Sequence, residues 1–222
     1  MPGKASTARI ATAADALSLL DRAGVMTLVP AGEMPSLVAG VVGGPIQGSW
    51  WGHAKGGLIF EITSALEESP EVVVGKLVAG KVAFVHRRLW PALVRVVTDE
   101  AWRAARTAGL PRDAAELLAR VEAEGTVRNG ERGAAGHRTQ KATGDAKAMA
   151  RARKPLEERT LVYASSVHTE RGHHATVLTS WRRWATPELT QAAHARSFDQ
   201  AVRELADAGI DLAGTPSSTR RR

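Results

Sequence analysis

The amino-acid sequence predicts an α+β protein that is mainly helical and contains two short β-hairpins. Most of the chain carries apolar residues at helical spacing. Two segments, 71–86 and 159–181, instead show the β-branched and aromatic residues or the alternation that are typical of paired strands. With 222 residues, of which 44% are apolar, the chain is long enough to bury a core.

The first third of the chain predicts three helices, a short extended segment and a hairpin. The helices cover about 11–23, 34–42 and 55–67, and "VMTLVP" forms the extended segment after Gly24. The third helix has one apolar stripe, formed by Leu58, Ile59, Ile62, Ala65 and Leu66. The hairpin has strands at about 71–77 and 81–86, joined by a turn at "VAGK".

The rest of the chain predicts further helices and the second hairpin. Linking helices with Thr98 as a candidate N-cap lead to a helix over 111–124, and a helix over about 145–154 ends at Pro155. "RTLVYASSVHTERGHHATVLTSW" forms the second hairpin, with its turn near "TERG". Thr186 caps a C-terminal helix that breaks near Ser197.

These patterns predict a domain organisation with two helix–hairpin units. In chain order we expect a disordered segment 1–9, a unit 10–88, linking helices 89–110, a unit 111–184 with a mobile basic loop 126–144, C-terminal helices 185–212, and a disordered basic tail 213–222.

The order helix, strand, helix, helix, hairpin over residues 11–86 resembles the winged-helix superfamily. The residues that carry the resemblance are the amphipathic helix 55–67 and the hairpin 71–86, and a similar order over 111–180 suggests a tandem arrangement. The resemblance implies binding of duplex DNA, with the third helix in the major groove and the hairpin on the backbone, although some winged helices bind RNA or proteins. Certain bacterial DNA glycosylases have tandem winged helices, but no motif of those enzymes can be transferred to this sequence.

The distribution of charge also favours a polyanionic partner. The formal net charge is +7, and basic residues outnumber acidic ones by seven to two over 76–106 and by eight to two over 126–154. Residues 15–71, in contrast, carry two basic and seven acidic side chains. Clustered cations attract nucleic acid, so we expect DNA as the partner, with a solubilising basic surface as the alternative.

The third predicted helix departs from the pattern of a helix that enters the groove. Its only cation is Lys55, against three glutamates, so its N-terminal end is the part that could approach DNA. The phosphate contacts should come from the hairpin and from the basic segments: Lys76, Lys81, His86, Arg87, Arg88, Arg138, Lys141, Arg151, Arg153 and Lys154. A solvated basic helix is the alternative explanation for Arg138, Lys141, Arg151, Arg153 and Lys154.

The segment "GSWWGHAKGG" (48–57) is the most unusual part of the sequence. Successive side chains of an extended segment point in opposite directions, so one of Trp50 and Trp51 should be buried and the other exposed. Trp51, His53 and Lys55 could then contact a base, or both rings could simply anchor a turn.

The segment "HTERGHH" raises the question of a metal site. His168, Glu170 and His174 are zinc-binding residue types, but their spacing matches no known zinc motif, so histidines beside a turn are the preferred interpretation and no metal is predicted. The sequence lacks the GxxxxGK[ST] phosphate loop, and no cofactor is predicted.

The sequence also predicts a cytoplasmic protein, because it has no cysteine, no apolar run long enough to span a membrane and no signal peptide. The leading hypothesis is a non-enzymatic DNA-binding protein. The alternatives are a DNA-processing or repair enzyme of glycosylase or nuclease type, and a protein-interaction module. The sequence also leaves open whether the chain forms a homo-oligomer or binds a protein partner.

Overall fold

The computed structural model describes residues 9–78, 80–129, 140–168 and 174–213, with the side chains of 129, 140–146, 166–168 and 174–175 outside the description. The chain divides into two compact units. Unit 1 comprises Met1–Leu93 and Asp199–Leu212, and unit 2 comprises Val94–Phe198 and Ala213–Arg222. Both units combine helices with a small antiparallel sheet, and the predicted α+β class is confirmed.

Unit 1 has the element order that the sequence predicts. Its elements are α1 (Ala13–Ala23), β1 (Val25–Thr27), α2 (Leu37–Val42), a 3-10 turn (Trp50–Gly52), α3 (Gly56–Glu68), β2 (Val72–Val78) and β3 (Lys81–His86). A 3-10 turn (Arg87–Leu89) leads into α4 (Trp90–Val97), within which the unit boundary falls. The strands form an antiparallel sheet in the order β1-β3-β2.

Unit 2 has a second sheet with the corresponding order. Its elements are α5 (Glu100–Thr107), α6 (Arg112–Glu124), β4 (Thr126–Asn129), α7 (Gln140–Glu158), β5 (Tyr163–His168), β6 (His174–Thr179), α8 (Trp181–Trp184) and α9 (Pro187–His194). The sheet order is β4-β6-β5, again antiparallel. The chain then enters α10 (Phe198–Asp207), most of which belongs to unit 1.

The core of unit 1 lies between α1, α3 and the inner face of its sheet. Leu20 of α1, Ile62 of α3 and Phe84 of β3 are fully or almost fully buried in one apolar cluster. Removal of such side chains from water is the main favourable term in folding. The predicted stripe of α3 is correct for Ile59, Ile62 and Leu66, whereas Ala65 is exposed.

Helix α1 begins at a reciprocal cap. The Thr12 hydroxyl accepts a hydrogen bond from the Asp15 N–H (3.1 Å), and the Asp15 carboxylate accepts from the N–H groups of Ala11 and Thr12. These hydrogen bonds lower the pKa of Asp15, and the one from the Ala11 N–H has the largest effect. The pattern Thr-x-x-Asp therefore sets the start of the helix.

In each unit, the helix directly before the first strand ends at a glycine that lies beneath an arginine side chain. Gly24 follows α1 with φ 80°, and Gly125 follows α6 with φ 75°, so each turns directly into a strand. A Cβ at Gly24 would lie 2.6 Å from the Arg88 guanidinium, and one at Gly125 would lie 3.2 Å from the Arg183 stem. The two units thus repeat one junction as well as one sheet order.

Helices α2 and α5 do not begin where the sequence predicts. Helix α2 begins at Leu37 rather than 34, because Ser36 forms a parallel bridge with Thr27 and its side chain caps the helix. Helix α5 is capped by Asp99 rather than Thr98. The Asp99 carboxylate accepts from the Trp102 N–H (3.0 Å), while the Thr98 hydroxyl donates to the Val94 carbonyl and completes α4.

The predicted end of the helix at Pro155 and the predicted loop 126–144 also differ from the structure. Helix α7 continues through Pro155 to Glu158, since Leu156 is fully buried and two ion pairs span the proline, Arg153–Glu157 and Lys154–Glu158. Residues 126–129 form β4, which pairs with β6, and α7 begins at Gln140. Residues 130–139 of the predicted loop lie outside the description.

Unit 2 uses arginine and tryptophan side chains as internal supports. Arg103 donates to the Val97 and Leu161 carbonyls and pairs with Glu122 at 2.6 Å; burial, opposed by this carboxylate, lowers its pKa. Trp181 is buried, donates to the Thr160 carbonyl (2.9 Å) and packs against Tyr163. Trp181 therefore packs on a strand as well as on helical residues.

Among the described helices, none is long and apolar enough to cross a membrane.

We expect Gly24→Ala to lower the free energy of unfolding by about 2 kcal/mol, because Ala is strained at positive φ and its Cβ displaces Arg88 from the α1 carbonyls. Gly32→Ala is the matched control, with φ 59° and no atom within 4 Å of its Cβ; we expect a loss of about 1 kcal/mol. Urea unfolding measures both, and equal losses would contradict a role for Arg88.

Candidate nucleic-acid interface

Trp50 and Trp51 lie in a 3-10 turn immediately before α3. The Ser49 hydroxyl accepts a hydrogen bond from the Trp51 N–H (3.4 Å) and caps the turn. Trp50 is 8% exposed and belongs to the core of unit 1, whereas Trp51 is 65% exposed. The prediction that one ring is buried and the other exposed is confirmed, although the backbone is a 3-10 turn rather than an extended segment.

The exposed Trp51 ring rests on the buried one. The two ring centroids are 3.9 Å apart with 25° between the planes. Phe60, which is 49% exposed on α3, lies tilted beside Trp51 at a centroid distance of 5.8 Å. Trp51 and Phe60 are therefore an aromatic surface supported by the core, and both rings offer area to a ligand.

Phe60 was absent from the residues that the sequence singled out. Its position nevertheless carried a signal, because it falls outside the apolar stripe of α3 and directly precedes Glu61. A large apolar residue on the polar face of an amphipathic helix predicts an exposed side chain rather than core packing.

Gly56 allows the tryptophan turn to approach α3 closely. A Cβ at Gly56 would lie 3.1 Å from the backbone carbonyl oxygens of both Trp50 and Trp51. The adjacent Gly57 is exposed and has no atom within 4 Å of such a Cβ. The two glycines therefore differ in role, since one is required by packing and the other keeps the helix N-terminus open.

The structure brings His53 and Lys55 to the same place as Trp51. The Lys55 N–H donates to His53 Nδ1 (3.1 Å), so the ring is held as an acceptor at Nδ1 with its proton on Nε2. The Lys55 ammonium donates to the Val41 carbonyl at 2.6 Å, near the end of α2. Lys55 thus ties α2 to α3 and keeps two of its three donors for other partners.

The cations predicted on the first hairpin occupy its two ends. Lys76 and the exposed Lys81 lie toward the turn, and Arg87 follows the far end of β3, about 20 Å away along the strand. Arg87 forms a solvent-exposed pair with Glu71 at 3.7 Å. Such pairs contribute little, so Arg87 stays available to a phosphate.

Arg88 and His86 have structural partners. Arg88 donates to the Asp21 carbonyl (2.9 Å) and the Arg22 carbonyl (3.3 Å), and it therefore caps the C-terminus of α1. His86 is buried, and its Nδ1 lies 3.6 Å from the Asp21 carboxylate. Neither residue needs a nucleic acid to explain its position.

Three cations of α7 are paired with carboxylates. Arg151 pairs with Asp113 (3.0 Å) across to α6, Lys154 lies 3.8 Å from Glu158, and Arg153 is partly buried against Glu157 (2.8 Å) and the Thr176 hydroxyl. Arg153 is therefore a packing residue, which the count of charges along the sequence could not reveal. The Lys141 side chain and Arg138 lie outside the description.

The histidines of the second hairpin face each other along the backbone. His168 pairs with His174 in the β5–β6 register, as expected for residues on either side of a turn. Glu170 and both histidine side chains lie outside the description. In the part of the chain that the structure describes, no group of three or more His, Asp or Glu could hold a metal ion.

Comparison with known proteins identifies one family. The family model described as AlkZ related matches residues 10–219 and so covers both units. No curated protein and no solved structure gives a significant match.

We expect Gly57→Ala to stabilise the protein by about 0.5–1 kcal/mol, because Ala is a better helix former in open space. Gly56→Ala should be at least about 1 kcal/mol less stable than Gly57→Ala, since its Cβ pushes the Trp50 and Trp51 carbonyls away.

Urea unfolding measures the difference between these two variants, and tryptophan fluorescence of the folded proteins reports the position of the turn. Equal stability together with identical fluorescence would show that the approach of the turn to α3 does not depend on Gly56.

Proposed function

We propose that this chain, which belongs to the AlkZ-related family, is a DNA-binding protein. AlkZ is a DNA-repair protein of the glycosylase kind. The family match over residues 10–219 is the observation that carries the proposal. The positive net charge of +7 agrees with it, because a DNA-binding surface must neutralise phosphates.

The proposed DNA-binding framework consists of two winged-helix units, one in each compact unit. The sheet orders β1-β3-β2 and β4-β6-β5 support this assignment, as do the two glycine junctions at Gly24 and Gly125. In unit 1 the hairpin β2–β3 is the wing and α3 is the helix nearest to the base edges. In unit 2 the hairpin β5–β6 and α7 hold the corresponding places.

The wing of unit 1 is the proposed phosphate contact. Lys76 and Lys81 lie toward its tip, and Arg87 at its base has a weak surface partner that a phosphate could replace. Arg138 and Lys141 of the basic segment are further candidates. Arg153 contributes less in this proposal, because it is partly buried against Glu157. Arg151 and Lys154 have exposed partners of the same weak kind as Arg87 and are further candidates.

The turn before α3 is the proposed place of base contact. Trp51, His53 and Lys55 meet there, and the helix N-terminus with the unobstructed Gly57 permits a close backbone approach. The later part of α3 carries Glu61, Glu67 and Glu68, which would repel phosphates. DNA should therefore approach the N-terminal end of this helix.

A glycosylase-like enzyme is the second candidate function, and the family favours it. Incubation with an alkylated duplex, followed by alkaline cleavage at abasic sites, tests for base removal. Strand breaks above those of a buffer control would establish the activity, and their absence with binding intact would favour a binding role.

We expect Lys81→Glu to weaken binding to a random duplex by about ten-fold and to reduce the slope of log affinity against log salt by about one, because one phosphate contact is lost. Lys154→Glu changes the net charge equally but lies on α7, outside the wing of unit 1, so its effect should be smaller. Fluorescence anisotropy at several salt concentrations measures both variants.

Equal loss in the two variants would assign binding to general charge rather than to the wing. Absence of duplex binding by the wild type at low salt would overturn the proposed function and leave a protein-interaction role for the aromatic surface.

A further inference from the structure

The aromatic surface of Trp51 and Phe60 is built to meet a flat apolar ligand. Among the described residues, these are the large apolar side chains that remain exposed. The Trp51 ring is fixed from beneath by Trp50, whose ring is buried 3.9 Å away, and its backbone N–H is held by Ser49. Its orientation is therefore set before any ligand binds, which reduces the entropy lost on binding.

The shape of this surface suits a single ring system. Trp50 covers one face of the Trp51 indole, and Phe60 stands at 43° beside it, so the two exposed rings form an open corner. A flat heteroaromatic group could continue the Trp50–Trp51 stack and contact Phe60 with its edge. A paired base inside a duplex has both faces stacked on its neighbours and offers neither of them.

The charges on the Phe60 side of the corner are acidic, which argues against a phosphate contact on that side and for a base. Glu61 follows Phe60 directly, and Glu67 and Glu68 lie further along α3. Carboxylates repel the phosphate backbone but accept hydrogen bonds from the exocyclic amino groups of adenine, cytosine and guanine. A base turned out of the helix would reach this corner while its phosphates remained at a distance.

We infer that the Trp51–Phe60 corner stacks an unpaired base, so that DNA with a bulged or extrahelical nucleotide is the preferred substrate class. This inference rests on the proposed DNA-binding function. The wing provides affinity for any duplex through its phosphates, and the corner adds a preference for sites where one base is already free of its partner. An unpaired base is favoured because a paired one must first be unstacked.

The test compares a labelled, fully paired duplex with the same duplex carrying one unpaired adenine at its centre. We expect the wild type to bind the bulged duplex about ten-fold more tightly in fluorescence anisotropy, as one aromatic–base stack allows. Trp51→Ala should lower the affinity for the bulged duplex to that for the paired duplex and so abolish this preference. Trp51→Phe, which keeps an aromatic face, should retain most of it, and circular dichroism checks that both variants fold.

Four results would overturn the inference, and they are distinguishable from each other. Equal wild-type affinity for both duplexes, with salt dependence intact, removes the base preference and leaves the DNA-binding function standing. A preference that survives in Trp51→Ala places the base elsewhere. Wild type that binds neither duplex removes the proposed function and this inference together. A wild-type dimer that Trp51→Ala dissociates, without any bulge preference, would identify a second copy as the occupant.

Discussion

Burial of Trp50 in the core of unit 1 constrains the whole region around the candidate interface. The indole must fill its place beside the apolar face of α3, and this fixes the preceding turn against the N-terminus of that helix. Gly56 permits the required approach of the two tryptophan carbonyls. Since Trp50 points inward, the 3-10 geometry directs Trp51 outward, and core packing thereby creates an exposed aromatic surface.

The positive charge of this protein has two different uses. Arg88 caps α1, Arg103 ties the Val97 and Leu161 carbonyls to Glu122, and Arg153 packs against Glu157. A guanidinium is well suited to such positions because it presents five donors in a fixed plane. The cationic surface that a polyanion could meet is consequently smaller than the net charge of +7 suggests.

The two units share a helix–strand junction that cannot be recognised from their sequences. In each, a helix ends at a glycine with positive φ, a strand begins at once, and an arginine from beyond the last strand lies over the glycine. A residue with a side chain would strain this junction and displace the arginine. The same junction can therefore occur in both units although their other side chains differ.

Local patterns in the sequence were sufficient for the α+β class, the order of elements in unit 1 and the opposite environments of Trp50 and Trp51. Apolar spacing and turn residues act over a few positions, so they can be recognised in one dimension. Only the tertiary structure decided that Phe60 joins Trp51, that β4 pairs with β6, that α7 continues through Pro155, that Arg88 caps α1 and that Arg153 packs against Glu157. Each of these depends on partners distant in the chain, whose energies outweigh local preference only when folding brings them together.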